Sequence, residues 1–309
     1  MSRLKISAIS YLNTAPLMWD FEHGQAGAAS IPGSDFDISY TIPSACAEAL
    51  RAGTADIGII PSAAYTTVPD LVVLPDVAIA ARRAVRSILL VSKFSNQTPS
   101  DTGPAERWAD RIRTVALDTS SMTSVALTKI IFAKWLGGAR DYRAMAPNLD
   151  AMLETCDAAL LIGDPALQVD RTRYSTLDLA EEWIARTGKS FVFAFWAIRK
   201  QALAGQNGAA IARVFKESRD HGLSPKNLEA IVREWGPRLG LSVEIVRTYL
   251  TQNIHYYLDP PCLEGLELYY RFGAEIGALP QAPELHLSGS HTSSTTTGLA
   301  SAATLADIH

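Results

Sequence analysis

LKISAISYLNTAPL, residues 4–17, decides how the chain begins to fold. From Leu4 to Ala8 apolar residues alternate with polar ones, and this period of two predicts a strand. Thr14 and Pro16 then open an apolar run that ends at a glycine, a pattern typical of a helix. Asn13 is therefore predicted at a strand-to-helix corner, where open α/β sheets bind ligands. The alternative is that Asn13 forms hydrogen bonds only within its own turn.

The composition of the chain limits the classes of protein to which it can belong. Its 309 residues are 48% hydrophobic and carry a formal charge of −4, and this length favours two cores. No basic stripe or RNA-type aromatic motif is present, so we expect no nucleic-acid partner. The three cysteines, Cys46, Cys156 and Cys262, are far apart and have no metal-ligand spacing, which is typical of core thiols in a reducing compartment.

The longest apolar run, FVFAFWAI at residues 191–198, is far shorter than the ~18 residues of a membrane span. The N-terminal residues lead directly into the strand KISAIS and lack the pattern of a secretory signal. We therefore predict a cytoplasmic protein without a membrane partner.

Strands and helices alternate along the chain, which predicts parallel α/β layers. Two extended segments, Val85–Lys93 and Phe191–Ile198, are predicted to cross between two lobes of a hinged clamshell. A Ser/Thr-rich end with few bulky apolar residues is expected to be disordered. The predicted units are lobe I, residues 1–93 with 195–280; lobe II, residues 94–194; and a disordered tail, residues 281–309.

Polar or small residues occupy the turn between strand and helix after several of the predicted strands. A helix N-terminus offers unpaired N–H groups and the positive end of a dipole, so neighbouring hydroxyls can help to bind a carboxylate or phosphate. The alternative is that each corner residue only caps the helix that follows it. Asp164, for example, precedes Pro165, and this order is typical of an N-cap residue. No metal-ligand spacing, GxSxG, GxGxxG or P-loop is present, so no metal site is predicted. The corner residues are Asn13 with Thr14; Ser62; Ser121, Thr123 and Ser124; and Gly163 with Asp164.

Five segments in this order resemble the chorismate dehydratases of the futalosine route to menaquinone, over about residues 4–279. The resemblance implies the fold of a type 2 periplasmic binding protein. It also implies conversion of chorismate to 3-[(1-carboxyvinyl)oxy]benzoate and water, without a metal or organic cofactor. The segments are SYLNTAPL (10–17), RSILLVSK (86–93), VALDTSSMTSVAL (115–127), DAALLIGDPAL (157–167) and FVFAFWA (191–197).

The resemblance also implies roles for individual residues. Asn13 would orient the reacting part of chorismate, since a neutral amide binds both a hydroxyl and a carboxylate without repelling a dianion. Ser87, with Thr123 and Ser124, would hold carboxylates, and Ser62 would add a further contact. The proton on carbon 3 would pass to the enolpyruvyl carboxylate of the substrate itself, a step that depends on positioning.

Two other functions remain open at this point. The related 1,4-dihydroxy-6-naphthoate synthases share the pathway, but they carry a histidine where this chain has Asp164 and a different first corner. A non-catalytic protein that binds a small carboxylate is the second alternative, because fold alone does not decide function. Arg82 and Arg83 stand where the dehydratases often have a small turn. This difference leaves open how the entrance of the cleft is formed near these two residues.

Overall fold

Two five-stranded sheets organise the chain in the computed structural model, which describes residues 3–24, 36–94 and 109–288. The strands in these residues are β1 (Leu4–Ile9), β2 (Phe36–Thr41), β3 (Ile57–Pro61), β4 (Leu71–Ala81), β5 (Ile88–Ser92), β6 (Thr114–Asp118), β7 (Asp141–Met145), β8 (Ala158–Ile162), β9 (Ser175–Asp178) and β10 (Phe191–Arg199). The first sheet has the order β2-β1-β3-β10-β4, and the second has the order β7-β6-β8-β5-β9.

Helices connect these strands and cover both sheets. The α-helices of the described residues are α1 (Trp19–Glu22), α2 (Pro43–Arg51), α3 (Thr123–Trp135), α4 (Leu149–Thr155), α5 (Gly163–Leu167), α6 (Leu179–Thr187), α7 (Lys200–Leu203), α8 (Gly208–Gly222), α9 (Pro225–Leu239), α10 (Val243–Thr248) and α11 (Pro260–Glu275). Leu12–Met18 and Ser62–Thr66 are 3-10 helices, and Tyr249–Asn253 is a π-helical turn. Among the helices of the described residues, none has both the length and the hydropathy that a membrane span requires.

Both sheets are mixed, although the sequence pattern predicted parallel layers. β1 pairs in parallel with β2 and β3, and β6 pairs in parallel with β7 and β8. The two exceptions are β5 and β10, which run antiparallel to both of their neighbours. β5 follows β4 of the first sheet with no helix between them, whereas β10 follows β9 of the second sheet after α6. Each of the two strands enters its sheet from the other sheet, so it is not part of a parallel strand–helix–strand unit of the sheet that it joins.

The core is continuous across the two sheets. Along β5, Leu90 faces this shared core, whereas Leu89 and Val91 face a smaller core on the outer side of the second sheet. This alternation follows from the period of two in a strand. The predicted core cysteines are all buried and form no disulfide.

The predicted boundary between the lobes is displaced at both crossings. The sequence placed residues up to 93 in lobe I, but β5 pairs with β8 and β9 in the second sheet. The chain therefore leaves the first sheet between Ala81 and Ile88. It returns before Phe191, where β10 begins its pairing with β4, and not at residue 195. A run of buried apolar residues marks a strand but not the sheet that it joins.

The prediction of a disordered tail is wrong for its first eight residues. His286 O accepts from Val73 N (2.8 Å), and Ser288 N donates to Val73 O (2.9 Å), so this segment adds a bridge to β4. The Tyr65 hydroxyl accepts from His286 N at 3.1 Å. Backbone pairing holds the segment, and such pairing leaves little trace in composition. Residues 289–309 lie outside the described residues.

We expect a chain that ends at Gln281 to be less stable than one that ends at Ser288. The shorter chain loses the backbone bonds to Val73 and the bond to Tyr65, and each is worth about 1 kcal/mol. The free energy of unfolding should fall by at least about 2 kcal/mol, measured by urea denaturation of both chains. Equal midpoints for the two chains would show that residues 282–288 contribute nothing to stability.

Candidate functional site

A cavity lies between the two sheets, where strand ends from both sheets meet. Ile9 and Pro61 end β1 and β3 on one side, and Ile162 ends β8 on the other. This is the position at which open α/β sheets bind ligands. The polar or small lining residues are Tyr11, Asn13, Ser121, Thr123, Ser124 and Gly163, and the apolar ones include Ile79, Ile88, Phe193 and Ala194.

The structure brings five of the eight predicted site residues to the wall of this cavity. Three others, Ser62, Ser87 and Asp164, are not among the lining residues and lie behind them. Each of these three is hydrogen-bonded to a protein group. The lining five are Asn13, Ser121, Thr123, Ser124 and Gly163.

The sequence pattern predicted that Asn13 precedes a helix. In the structure it instead lies within a 3-10 helix, Leu12–Met18. The helix begins at Leu12, and its N-cap residue Tyr11 has no side-chain capping bond. The Asn13 Oδ1 atom accepts from the Thr14 hydroxyl at 3.3 Å. No bond from the Asn13 side chain to a backbone group is found within the described residues, which argues against a simple turn former. The amide is thus available to the cavity.

Thr123, the first residue of α3, joins the two sheets at the base of the cavity. Its hydroxyl donates to Phe193 O (3.1 Å) and accepts from Ala63 N (3.1 Å). The Ser62 hydroxyl lies 3.3 Å from it and donates to Val192 O at 2.8 Å. Ser62 is fully buried, so its hydroxyl connects protein groups and does not face the cavity.

Asp164 binds the first corner from the opposite side of the cavity. Helix α5 begins at Gly163 without a side-chain cap, so Asp164 is not the N-cap residue that its position before Pro165 indicated. Its carboxylate instead accepts from Leu12 N, at 3.0 Å from Oδ1 and 3.4 Å from Oδ2. Burial raises the pKa of Asp164 to about 6, although the Leu12 bond and the charge of Arg238 oppose the rise.

Gly163 allows Tyr11 to pack against the start of α5. The φ angle of Gly163 is +62°, and a Cβ atom here would lie 2.5 Å from the Tyr11 ring. The Tyr11 hydroxyl reaches Ser120 of the second sheet at 3.4 Å. A side chain at position 163 would push the Tyr11 ring out of the cavity wall.

Ser87 precedes β5 and is bound by Tyr249, a residue that no sequence pattern indicated. The Tyr249 hydroxyl donates to Ser87 Oγ at 2.9 Å, and both side chains are buried. Tyr249 lies in the π-helical turn, more than 160 positions along the chain. A π-helical turn within a helical pattern has no distinct periodicity, so no sequence signal indicated this contact.

The cavity wall has no cationic side chain among the residues that line it. Its polar character comes from neutral groups, and two helices, α2 and α3, start at it with Pro43 and Thr123. Helix N-termini carry partial positive charge, so this end of the cavity favours an anion. Ser121 Oγ accepts from Ser124 N at 3.2 Å and fixes the turn that leads into α3.

His255, Asp259 and Cys262 form a cluster away from this cavity, although their spacing predicted no metal site. Their potential ligand atoms lie within 4.8 Å of one another. Asp259 already pairs with Arg82 and His255, and it caps α11 through Cys262 N. Arg82 is thus bound to the start of α11, and its positive charge opposes a cation at this cluster.

The family model for menaquinone biosynthesis matches residues 4–275 of the chain. The chain belongs to this family. A chorismate dehydratase of Thermus thermophilus is 29% identical to it over 266 residues, which cover 80% of this chain and 89% of the relative.

Solved structures place the menaquinone-biosynthesis family member among proteins of the periplasmic-binding fold, as predicted. A protein of Archaeoglobus fulgidus matches with a TM-score of 0.70 at 15% identity, over 90% of this chain and 98% of that one. The periplasmic aliphatic sulphonate binding protein of Escherichia coli matches with a TM-score of 0.64 at 17% identity, over 92% and 94%. At these identities the likeness concerns the fold alone, and the two-lobed α/β fold class is confirmed.

We expect Gly163→Ala to destabilise the protein more than Gly188→Ala. Both glycines have a positive φ, +62° and +67°, so alanine costs about 1–2 kcal/mol of backbone strain at either position. Only at position 163 does the new methyl group meet the Tyr11 ring, since nothing lies within 4 Å of a Cβ at position 188. Chemical denaturation of the two variants measures the difference, and equal losses would rule out the Tyr11 contact as a constraint.

The pKa of Asp164 predicts a pH dependence of stability. A carboxyl group whose pKa is about 6 when folded and ~3.9 when unfolded binds more protons in the folded state between these values. Its contribution to stability is therefore complete below about pH 4 and is lost as the pH rises through about 6. Asp164→Asn stays neutral and lacks this loss, so its melting temperature should rise relative to the parent between pH 4 and 7. Parallel melting curves across this range would contradict the assignment.

Proposed function

We propose that this protein converts chorismate to 3-[(1-carboxyvinyl)oxy]benzoate and water in menaquinone biosynthesis. Membership of the menaquinone-biosynthesis family supports the pathway, and similarity to the chorismate dehydratase of Thermus thermophilus supports the reaction. The observation that carries the proposal is Asn13, a neutral amide in the wall of a cavity that lacks cationic lining residues.

The reaction requires orientation of the substrate more than it requires a strong acid or base. The carbon-3 hydrogen leaves as a proton, the C–H electron pair forms the new ring double bond, and the carbon-4 hydroxyl leaves as hydroxide, which becomes water by taking up the proton removed from carbon 3. The product is a benzene ring, so aromatisation supplies the driving force. The enolpyruvyl carboxylate of the substrate accepts the carbon-3 proton, and holding it in place is worth several kcal/mol through effective molarity.

Asn13 holds the reacting region of chorismate in this mechanism. An amide both donates and accepts hydrogen bonds, so it binds the hydroxyl and the carboxylate without adding charge. The N-terminus of α3, with Ser121, Thr123 and Ser124, holds a carboxylate by its partial positive charge. Asp164 is bound to Leu12 N, which keeps its negative charge directed at a backbone donor. Gly163 leaves room for Tyr11 beside the substrate.

Ser87 and Ser62 act from behind the wall of the cavity in this proposal. Ser87 is the acceptor of the Tyr249 hydroxyl, and Ser62 connects β10 to Thr123. Their direct contact with a carboxylate, which the resemblance implied, requires that these bonds rearrange when the substrate binds.

A protein that binds a small carboxylate without reaction is the competing function, because the sulphonate-binding relative has the same fold. The ultraviolet spectrum of chorismate separates the two functions. The proposed enzyme removes the diene absorbance and forms the benzoate product, whereas a binding protein leaves the spectrum unchanged.

We expect Asn13→Asp to abolish turnover of chorismate, although aspartate and asparagine have nearly the same size. The new carboxylate would repel a substrate that is already a dianion. Asn13→Ala should also lose turnover, because it removes the orienting amide. The measurement is chorismate loss and benzoate-product formation by chromatography for the parent and both variants.

Circular dichroism provides the control, because each variant must be folded before its activity is compared. Aspartate serves in turns as well as asparagine does. An active Asn13→Asp variant would therefore show that Asn13 is only a turn former, and the mechanism proposed here would be wrong.

A further inference from the structure

Arg86 lies between β4 and β5, where the chain passes from the first sheet to the second, and its backbone is left-handed with a φ of +67°. Among the described residues, two other non-glycine residues have a positive φ, and both are aspartates. Aspartate tolerates this region because its short side chain can hydrogen-bond locally, whereas an arginine side chain has no such compensation. The backbone of Arg86 is therefore strained, and such strain persists only where the surrounding structure prevents its relaxation.

Asp178, the last residue of β9, holds Arg86 in this conformation. Asp178 Oδ2 accepts from Arg86 N at 2.6 Å, and Asp178 is buried, with 6% of its surface exposed. Its other oxygen, Oδ1, caps α6 by accepting from Ala180 N and Glu181 N at 3.1 Å each. On the exposed side, Arg171 Nη2 donates to Arg86 O at 2.9 Å. Both peptide groups of Arg86 are thus bound by side chains of the second sheet's side of the molecule, and the bond to the buried carboxylate is the stronger one.

Ser87, the residue after Arg86, reaches the start of α5. The ladder between β5 and β8 ends with a bond from Gly163 N to Ser87 O at 2.8 Å. Gly163 N belongs to the first turn of α5 and has no acceptor inside that helix. Ser87 O therefore fixes Gly163, which lines the cavity, and with it Asp164, which binds Leu12 N across the cavity.

We propose that Asp178 is a positioning residue for the cavity wall, because it holds Arg86 left-handed and thereby directs Ser87 O at the start of α5. Without the bond from Asp178, Arg86 relaxes toward a negative φ, which redirects the chain as it enters Ser87 and weakens the bond to Gly163. Asp178 does not line the cavity, so it acts through these backbone groups. Its effect on catalysis rests on the proposed function, since only there does the cavity hold chorismate.

The first test is the variant Asp178→Ser, measured by amide hydrogen exchange, which does not require turnover. Serine is a good helix cap, so its hydroxyl can still serve α6, but it has no second oxygen for Arg86 N. We expect the Gly163 amide to exchange roughly fivefold to tenfold faster than in the parent, because its bond to Ser87 O is weakened. Unchanged exchange at Gly163 would overturn the proposal.

The His255 amide is the reference for a general loss of stability. It donates to Ala80 O of the first sheet at 2.8 Å, far from Asp178 in the hydrogen-bond network. Its exchange should stay within about twofold of the parent in Asp178→Ser, since a local opening does not reach it. Equal acceleration of the His255 and Gly163 amides would indicate global destabilisation and would contradict a positioning role.

Arg86→Gly provides a rescue, because glycine adopts a positive φ without strain. In the Asp178→Ser background it should return the exchange of the Gly163 amide to within about twofold of the parent. Arg86→Ala is the matched control, since it removes the same charged side chain but keeps a Cβ atom and therefore the strain. It should give no rescue. Rescue by both substitutions, or by neither, would show that the backbone of Arg86 does not transmit the effect of Asp178.

The same two substitutions in the parent keep the proposal testable if Asp178→Ser does not fold. Glycine usually destabilises a protein relative to alanine, but at a left-handed position the order is reversed. We expect Arg86→Gly to have a higher urea midpoint than Arg86→Ala. A midpoint for the glycine variant that is equal or lower would mean that Arg86 is not strained, and the proposal would then be wrong.

Turnover of chorismate connects the positioning role to the proposed function. We expect Asp178→Ser to lower kcat/KM roughly tenfold, as for a site whose wall is slightly displaced, and Arg86→Gly but not Arg86→Ala to restore most of it. A full kcat/KM in Asp178→Ser would overturn the role in catalysis. If the parent proves inactive on chorismate, the proposed function fails, while the exchange of the Gly163 amide still decides whether Asp178 positions the wall.

Discussion

The hydroxyl of Thr123 binds the start of α3 to the first sheet, and the shape of the cavity depends on this contact. Thr123 belongs to the first turn of α3, while its partners Ala63 N and Phe193 O belong to the opposite side. A buried hydroxyl without partners would cost about 1–3 kcal/mol, so these bonds favour the arrangement in which the two sheets approach each other. The Ser62 hydroxyl and the backbone of β10 extend the same contact. The cavity is the space that remains above it.

Other bonds across the cavity join the same two sides. Ser44 N at the start of α2 donates to Ser120 O, and Leu12 N donates to Asp164. In both cases an N–H group from the first turn of a helix, which has no partner inside the helix, is satisfied by the opposite sheet. The contacts across the cavity thus use N–H groups of helix N-termini, and such groups also favour an anion in the cavity. In one of these two contacts the acceptor is the Asp164 carboxylate.

The absence of cationic side chains from the cavity lining is consistent with a substrate that reacts through its own carboxylate. A lysine or arginine beside that carboxylate would stabilise its charged form and weaken it as a proton acceptor. Neutral donors hold a dianion with less effect on its basicity. In the proposed mechanism Asn13 provides geometry, and the substrate provides the base.

The sequence by itself determined the local elements and the corners at which ligands bind. Alternation in residues 4–8 and the apolar runs at 158–162 and 191–198 predicted strands that the structure contains, and Asn13, Thr123 and Gly163 were selected from their corners. Only the tertiary structure decided that β5 joins the second sheet, that the Ser62 hydroxyl turns to a protein partner, and that Tyr249 binds Ser87. Periodicity encodes which face of an element is buried, because that depends on neighbours in sequence. The partner of a buried hydroxyl depends on how distant strands and helices align, and this alignment results from the packing of the whole chain.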